Sequence, residues 1–175
     1  MKQREDALVA LADSMMNTML PDDRVDFGLK FAKTLYKALQ QPDSRKYPFS
    51  KLEQKIHILD APDKSFRVFN WLVAPDDFIR RYYSIIQKEE NVYPLTNYSD
   101  RLKNDLLTAT LDAKHWYGAE YYRILKKETK EGSYYFLFGL NTDGTYSNKK
   151  ILDVVSFSDQ GPVFGEPLFV VPGQT

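Results

Sequence analysis

Apolar positions recur every three or four residues from Gln3 to about Leu20, where Leu8, Leu11, Ala12, Met15, Met16 and Met19 share one stripe. That spacing predicts an amphipathic helix. Its methionines read as adaptable core packing ahead of the alternative, a hydrophobic binding groove. Pro21 has no N–H and blocks the turn before it, so it should end this helix. Asp22 fits the N-cap of a second helix, because its carboxylate can accept from free backbone N–H groups at the positive end of the dipole. This helix runs to about Gln40 with Phe31, Ala32, Leu35, Tyr36 and Leu39 on one face. Gly28 weakens it unless a neighbour packs close there. A short connection between two amphipathic helices predicts an antiparallel hairpin over 1–41.

Two prolines and a charge cluster break the periodicity between Gln41 and Pro48. Phe49 to Gln54 fits one helical turn, and from Lys55 the period becomes two. Ile56 and Ile58 face one way, His57 and Leu59 the other. Ala61-Pro62-Asp63-Lys64 is a turn. Ser65 to Val73 follows as a strand, with Phe66, Val68, Asn70 and Leu72 on one face and Arg67, Phe69, Trp71 and Val73 on the other. Residues 78–87 fit helical spacing, but their Tyr and Ile content suits a pleated surface, and we read a strand turning at Lys88-Glu89-Glu90-Asn91 into Val92-Tyr93. Ser99-Asp100 should cap a short helix carrying Leu102, Leu106 and Leu107.

Aromatic and β-branched runs then dominate. Strands are expected at His115–Lys126, Ser133–Leu140 and Lys149–Phe157, forming the middle of a sheet. A last strand at Val163–Val171 is bracketed by Pro162, Pro167 and Pro172. Proline cannot donate to a ladder, so this strand should lie at an edge or be interrupted. Short connections favour antiparallel pairing. The pattern predicts an α+β protein: an N-terminal helical hairpin followed by a largely antiparallel β-sheet of about seven or eight strands over 49–175, packed as one unit.

Composition narrows the chemistry. The chain has 175 residues, enough for one domain without metal or disulfide. Lys+Arg and Asp+Glu both number 24, so no basic excess points to nucleic acid. The absence of cysteine removes thiol nucleophiles, disulfides and Cys-ligated zinc. No run approaches the ~20 apolar residues of a membrane span. Met1 to Asp6 lacks an apolar stretch behind it and does not read as a signal peptide.

No constellation demands one reaction. His57 and His115 stand apart with no metal-ligand spacing, and each reads as a structural histidine; neither a metal nor another cofactor is expected. Asn141-Thr142-Asp143-Gly144 would put Gly139 and Lys150 where a calcium loop needs acids, so it reads as a hairpin turn. Neither a Gly-x-Ser-x-Gly elbow nor a glycine-rich phosphate loop occurs. Asp112, Glu120 and Asp153 lie at or near strands, and two converging carboxyls would suit glycoside hydrolysis. Aromatics reach 14%, with twelve tyrosines. On a sheet they form either cross-strand core pairs or a stacking platform with polar tips. Trp71, Trp116, Tyr117 and Tyr122, with His115 or Glu120 as polar contacts, are the candidate ligand-binding residues.

Pro62-Asp63-Lys64-Ser65-Phe66-Arg67-Val68-Phe69-Asn70-Trp71 and Trp116-Tyr117-Gly118-Ala119-Glu120-Tyr121-Tyr122-Arg123-Ile124 resemble a family of uncharacterised bacterial proteins. Tyr134 to Leu140, Asp143-Gly144, Ser147 to Val154 and Pro162-Val163-Phe164-Gly165 fit the same pattern. The resemblance covers roughly Ile56 to Phe169. It implies a β-rich fold and an exported, periplasmic or secreted protein, and it brings no catalytic residues. The lack of a visible signal segment departs from it and keeps a cytoplasmic home open. The expected function is a non-enzymatic binding or interaction module for a glycan or a protein partner. The alternatives are a glycan-acting hydrolase with paired carboxylates and a structural subunit pairing through the edge strand near Val163–Val171.

Overall fold

The computed structural model describes residues 1–102, 109–130, 132–142, 148–166 and 168. Two helices open the chain, α1 (Lys2–Asn17) and α2 (Pro21–Leu39). Leu8, Ala12 and Met15 of α1 meet Phe31, Leu35 and Leu39 of α2 in one buried cluster. The hairpin follows the apolar spacing, but its turn corrects two expectations. Leu20 is the N-cap of α2, and Asp22 lies with Asp23 inside the first turn. Pro21 begins the second helix rather than stopping the first, because its missing N–H has no helical partner at that position. α1 ends at Asn17, which leaves Met19 88% exposed and off the stripe. Gly28 sits where α2 crosses both neighbours. A Cβ there would lie 2.8 Å from Val73 Cγ2 and 3.6 Å from Met15 Sδ.

A short 3-10 turn at Leu52–Gln54 leads into the first sheet. This sheet contains β1 (His57–Asp60), β2 (Phe66–Val73), β3 (Arg81–Lys88) and β4 (Asn91–Leu95), antiparallel and in that order. Residues 81–88 are therefore strand, and Phe78 and Ile79 stand exposed before it. The second sheet contains β5 (Leu111–Asp112), β6 (Glu120–Thr129), β7 (Gly132–Asn141), β8 (Lys149–Ser158) and β9 (Gly161–Phe164), in the order β5-β9-β8-β7-β6.

The expected single sheet is thus two. The reason lies in β2, where seven of eight residues are buried. Phe69, Trp71 and Val73 pack on the helices, while Phe66 and Val68 pack on Tyr121, Leu137 and Val155 of the second sheet. A sheet with two apolar faces needs a layer on each side. The chain stacks helices, first sheet and second sheet.

Three further expectations change. The strand expected from His115 begins at Glu120. Residues before it pair elsewhere: Trp116 donates its N–H to Thr96 C=O at 3.0 Å and accepts from Tyr98 N–H at 2.7 Å. β6 forms an edge of its sheet, with β7 and β8 in the middle. β9 is covered by β5 at Val163 and Phe164 only; Gly161 and Pro162 have β8 as their single described neighbour, and the strand stops at Phe164. A 3-10 turn occupies Ser99–Arg101. The rest of the expected short helix, with Leu106 and Leu107, lies outside the described residues, as do Asp143-Gly144-Thr145, Pro167 and the chain beyond Leu168.

Candidate functional site

β1 is short, and this leaves a cleft at its start. Lys55 and Ile56 both donate their N–H to Leu52 C=O, at 2.9 and 3.1 Å, and so complete a turn instead of extending the strand. The β1–β2 ladder ends at His57 opposite Asn70, and β2 continues through Trp71, Leu72 and Val73 paired with β3 on its other side only. A cleft of about 400 Å³ opens there. Its walls are Met15 and Met16 of α1, Lys55 and Ile56, the end of β2, and Glu120 at the start of β6.

Asn70 holds the two sheets together beneath this cleft. Its Nδ2 donates to Tyr83 C=O and Ala119 C=O, both at 3.0 Å, and its Oδ1 accepts from Tyr121 N–H at 2.5 Å. His57 lies on the same face of the first sheet. Its Nε2 meets Glu120 Oε1 at 3.2 Å, across from one sheet to the other. The Glu120 hydrogen bond outweighs burial and raises the His57 pKa. Lys55 pairs with Asp13 at 2.7 Å. Arg24 donates from Nε to Thr18 C=O at 2.8 Å and from Nη1 to Ala74 C=O at 3.1 Å.

Trp71 is different. Its ring is edge-on to Phe31 at 5.0 Å and stacks on Tyr83 at 5.6 Å. The residue is 2% exposed, and its indole N–H has no hydrogen-bond partner. Among the described residues only one other buried side-chain atom shares this condition, Gln87 Oε1. Gln87 already has a structural task, donating to Leu39 C=O at 3.0 Å and Ser44 Oγ at 2.8 Å to close the end of α2. The Trp71 donor has none, and leaving such a group unmade costs about 1–3 kcal/mol.

The expected aromatic platform does not assemble. Trp71 and Glu120 line the cleft just described. Trp116 is fully buried and donates to Tyr121 OH at 2.7 Å. Tyr121 in turn donates to Asp153, passing over β7 at Gly139, where a Cβ would lie 2.9 Å from the Tyr121 ring. Tyr117 is 7% exposed; it accepts from Lys149 Nζ at 3.1 Å and lines a second cleft beside β8 together with Asp153. Tyr122 is exposed at the bulge in β6, and His115 bonds Asp112 at 2.8 Å on a surface turn. The three candidate acids line three different clefts: Glu120 the first, Asp153 that beside β8, and Asp112 a third beside Leu111. No group of three or more His, Asp or Glu residues capable of holding a metal occurs among the described residues. No helix among them is long and apolar enough to cross a membrane.

Sequence reasoning missed His57 and Asn70 as parts of one arrangement, and for Met15 and Met16 it favoured core packing over a hydrophobic binding groove. Asn70 carried a signal: a carboxamide between Val68 and Leu72 on a face otherwise apolar needs partners when buried.

Two groups give the protein a pH dependence near neutrality. Burial raises the Asp153 carboxyl to about 6, against the Tyr121 hydrogen bond that favours its ionised form. A folded state that holds protons more tightly than the unfolded chain loses stability as pH rises through the folded pKa values. Stability should therefore fall from about pH 4 to about pH 6 through Asp153, and a little further above about pH 6.5 through His57. Asp153→Asn should flatten most of that slope, adding about 2 kcal/mol at pH 8. The exposed His57 pair follows the same sign, present below about pH 6.5 and lost above its raised pKa, but is worth under about 1 kcal/mol. Urea unfolding of wild type, Asp153→Asn and His57→Gln at several pH values checks both terms.

Comparison of the chain with protein-family models, curated proteins and solved structures gives no match.

Proposed function

We propose that this chain is a non-enzymatic binding module whose ligand occupies the cleft between the helical hairpin and the open end of β2. The observation that carries this reading is the unpartnered indole N–H of Trp71, a residue that lines the cleft; the N–H itself is buried and meets a ligand only when the ring edge turns outward. A ligand oxygen accepting from it would recover a hydrogen bond the folded chain leaves unmade. The other walls define the rest of the ligand. Met15, Met16 and Ile56 suit an apolar stem, and Glu120 suits a donor. An amide- or hydroxyl-bearing molecule on an aliphatic body fits this set. The paired-carboxylate hydrolase gains no support, since the candidate acids do not share a cleft. The extracytoplasmic home joins the proposal on the resemblance alone, and fractionation of the producing cell tests it.

A thermal-shift panel of small amides, carboxylic acids and sugars tests the binding reading. A ligand at a hundredfold excess over its Kd stabilises the folded state by about 2.7 kcal/mol, or about 5–10 °C for a chain of this length. The shift should vanish in Met16→Arg, which blocks the mouth from a residue 44% exposed and so spares the core. A shift that survives Met16→Arg unchanged places the ligand elsewhere, and no shift across the panel contradicts the reading.

A further inference from the structure

The backbone beside Trp71 specifies the kind of ligand. Ala61 donates its N–H to Phe66 C=O at 2.9 Å, and the register carries on to Leu59 opposite Val68 and His57 opposite Asn70. Hydrogen-bonded pairs in an antiparallel ladder recur at every second residue. Phe66, Val68 and Asn70 therefore turn both backbone polar groups towards β1, and Leu72 is next in that series. Ala74 confirms the direction independently, because its C=O points the same way and receives Arg24 Nη1 at 3.1 Å. Among the described residues no strand lies opposite Leu72, since β1 starts at His57. Lys55 and Ile56 have committed their N–H groups to Leu52. Leu72 thus offers one N–H and one C=O, spaced as a strand offers them, along the floor of the cleft.

We infer that this cleft takes a short extended peptide segment as an added strand beside β2, paired through the backbone of Leu72. The inference rests on the binding-module reading and names its ligand class. About three residues span the open edge, roughly 10 Å at strand rise. Main-chain bonds supply the affinity of such an addition and alternate side chains the specificity. The residue opposite Leu72 shares the face of Asn70 and His57, so a lysine or arginine there meets Glu120. Its two neighbours share the face of Trp71, so an apolar side chain there meets Met15 and Met16 beside the Trp71 ring. Lys55 and Arg24 flank the edge with charge, which keeps it from pairing with any passing strand.

The probe is a blocked pentapeptide alternating valine and lysine, in both phases, with a set of variants N-methylated at one main-chain nitrogen each. Binding is read by calorimetry, and exchange of the Leu72 amide hydrogen by NMR. The expected result is binding by one phase, loss of at least tenfold on N-methylation at a single position, and slowing of Leu72 exchange by tenfold or more. The Trp71 main-chain N–H, already in the ladder to β3, should be unchanged. Binding within twofold for every N-methylated variant overturns strand addition. So does an absence of peptide binding at millimolar concentration while small amides still raise the melting temperature, an outcome that leaves the binding cleft standing. Silence from both peptides and the small-molecule panel overturns both.

Discussion

Asn70→Ala should lower the unfolding free energy by about 3 kcal/mol. The side chain is fully buried and makes three hydrogen bonds, to Tyr83, Ala119 and Tyr121. Alanine leaves the Tyr121 N–H and the Ala119 C=O buried without that partner, and it leaves a cavity between the sheets. Asn70→Asp is the sharper variant. It keeps the shape and the acceptor for Tyr121, but it turns a donor into an acceptor against two carbonyls. At pH 7 it should cost about as much as alanine, and the cost should shrink as acid protonates the new carboxyl. Urea unfolding at pH 7 and pH 5 measures this. An Asn70→Asp variant as stable as wild type at pH 7 would show that the two carbonyl contacts contribute nothing.

Glu5→Ala should cost about 3 kcal/mol by a different route. Glu5 is 3% exposed on the buried face of α1, where the stripe would place an apolar residue. Its Oε1 accepts from Lys51 N–H at 2.8 Å and Leu52 N–H at 3.1 Å, and its Oε2 from Tyr47 OH at 2.6 Å. One carboxylate thus closes the 3-10 turn that ends just before β1. Glu5→Gln should cost only about 1 kcal/mol, because its amide oxygen serves the two N–H groups and its NH2 can donate to the tyrosine. Burial pushes the Glu5 carboxyl up, but the hydrogen bonds from Tyr47, Leu52 and Lys51 outweigh it and hold the pKa below its usual value. Tyr47 is pushed up to about 12, chiefly by the same bond. The Glu5 contribution is therefore complete above about pH 4.5 and lost as pH falls through the lowered folded pKa. Acid unfolding should begin at higher pH in wild type than its other carboxylates alone would set, and Glu5→Gln should remove that part of the transition.

Many of the elements were legible in the chain. The stripe of Leu8, Ala12 and Met15, the alternation from Phe66 to Val73 and the aromatic runs of β6 and β7 follow helix and strand periods directly. The division into two sheets was not legible, because alternation says which residues share a face and not which sheet lies against it. The turn at Leu20 was missed because a proline and a following aspartate both fit more than one position of a helix start. The strand limit at Glu120 was missed because Trp116 and Tyr117 have strand-like side chains, while the Trp116 backbone is spent on Thr96 and Tyr98. The site was hidden for the same reason. It depends on where β1 stops, and that is set by a turn centred on Leu52, far in sequence from Trp71 and Glu120.

The chain's two tryptophans make the central claim directly measurable, since each gives one indole N–H signal in a nitrogen-correlated NMR spectrum. Trp116 is already bonded to Tyr121 inside the sandwich, while Trp71 is idle at the cleft wall. Titration with the alternating valine–lysine pentapeptide should move the Trp71 signal downfield and saturably, with the Trp116 signal fixed. A Trp71 signal that stays in place while the peptide binds, or that moves only together with Trp116, would contradict the assignment of this cleft as the binding site.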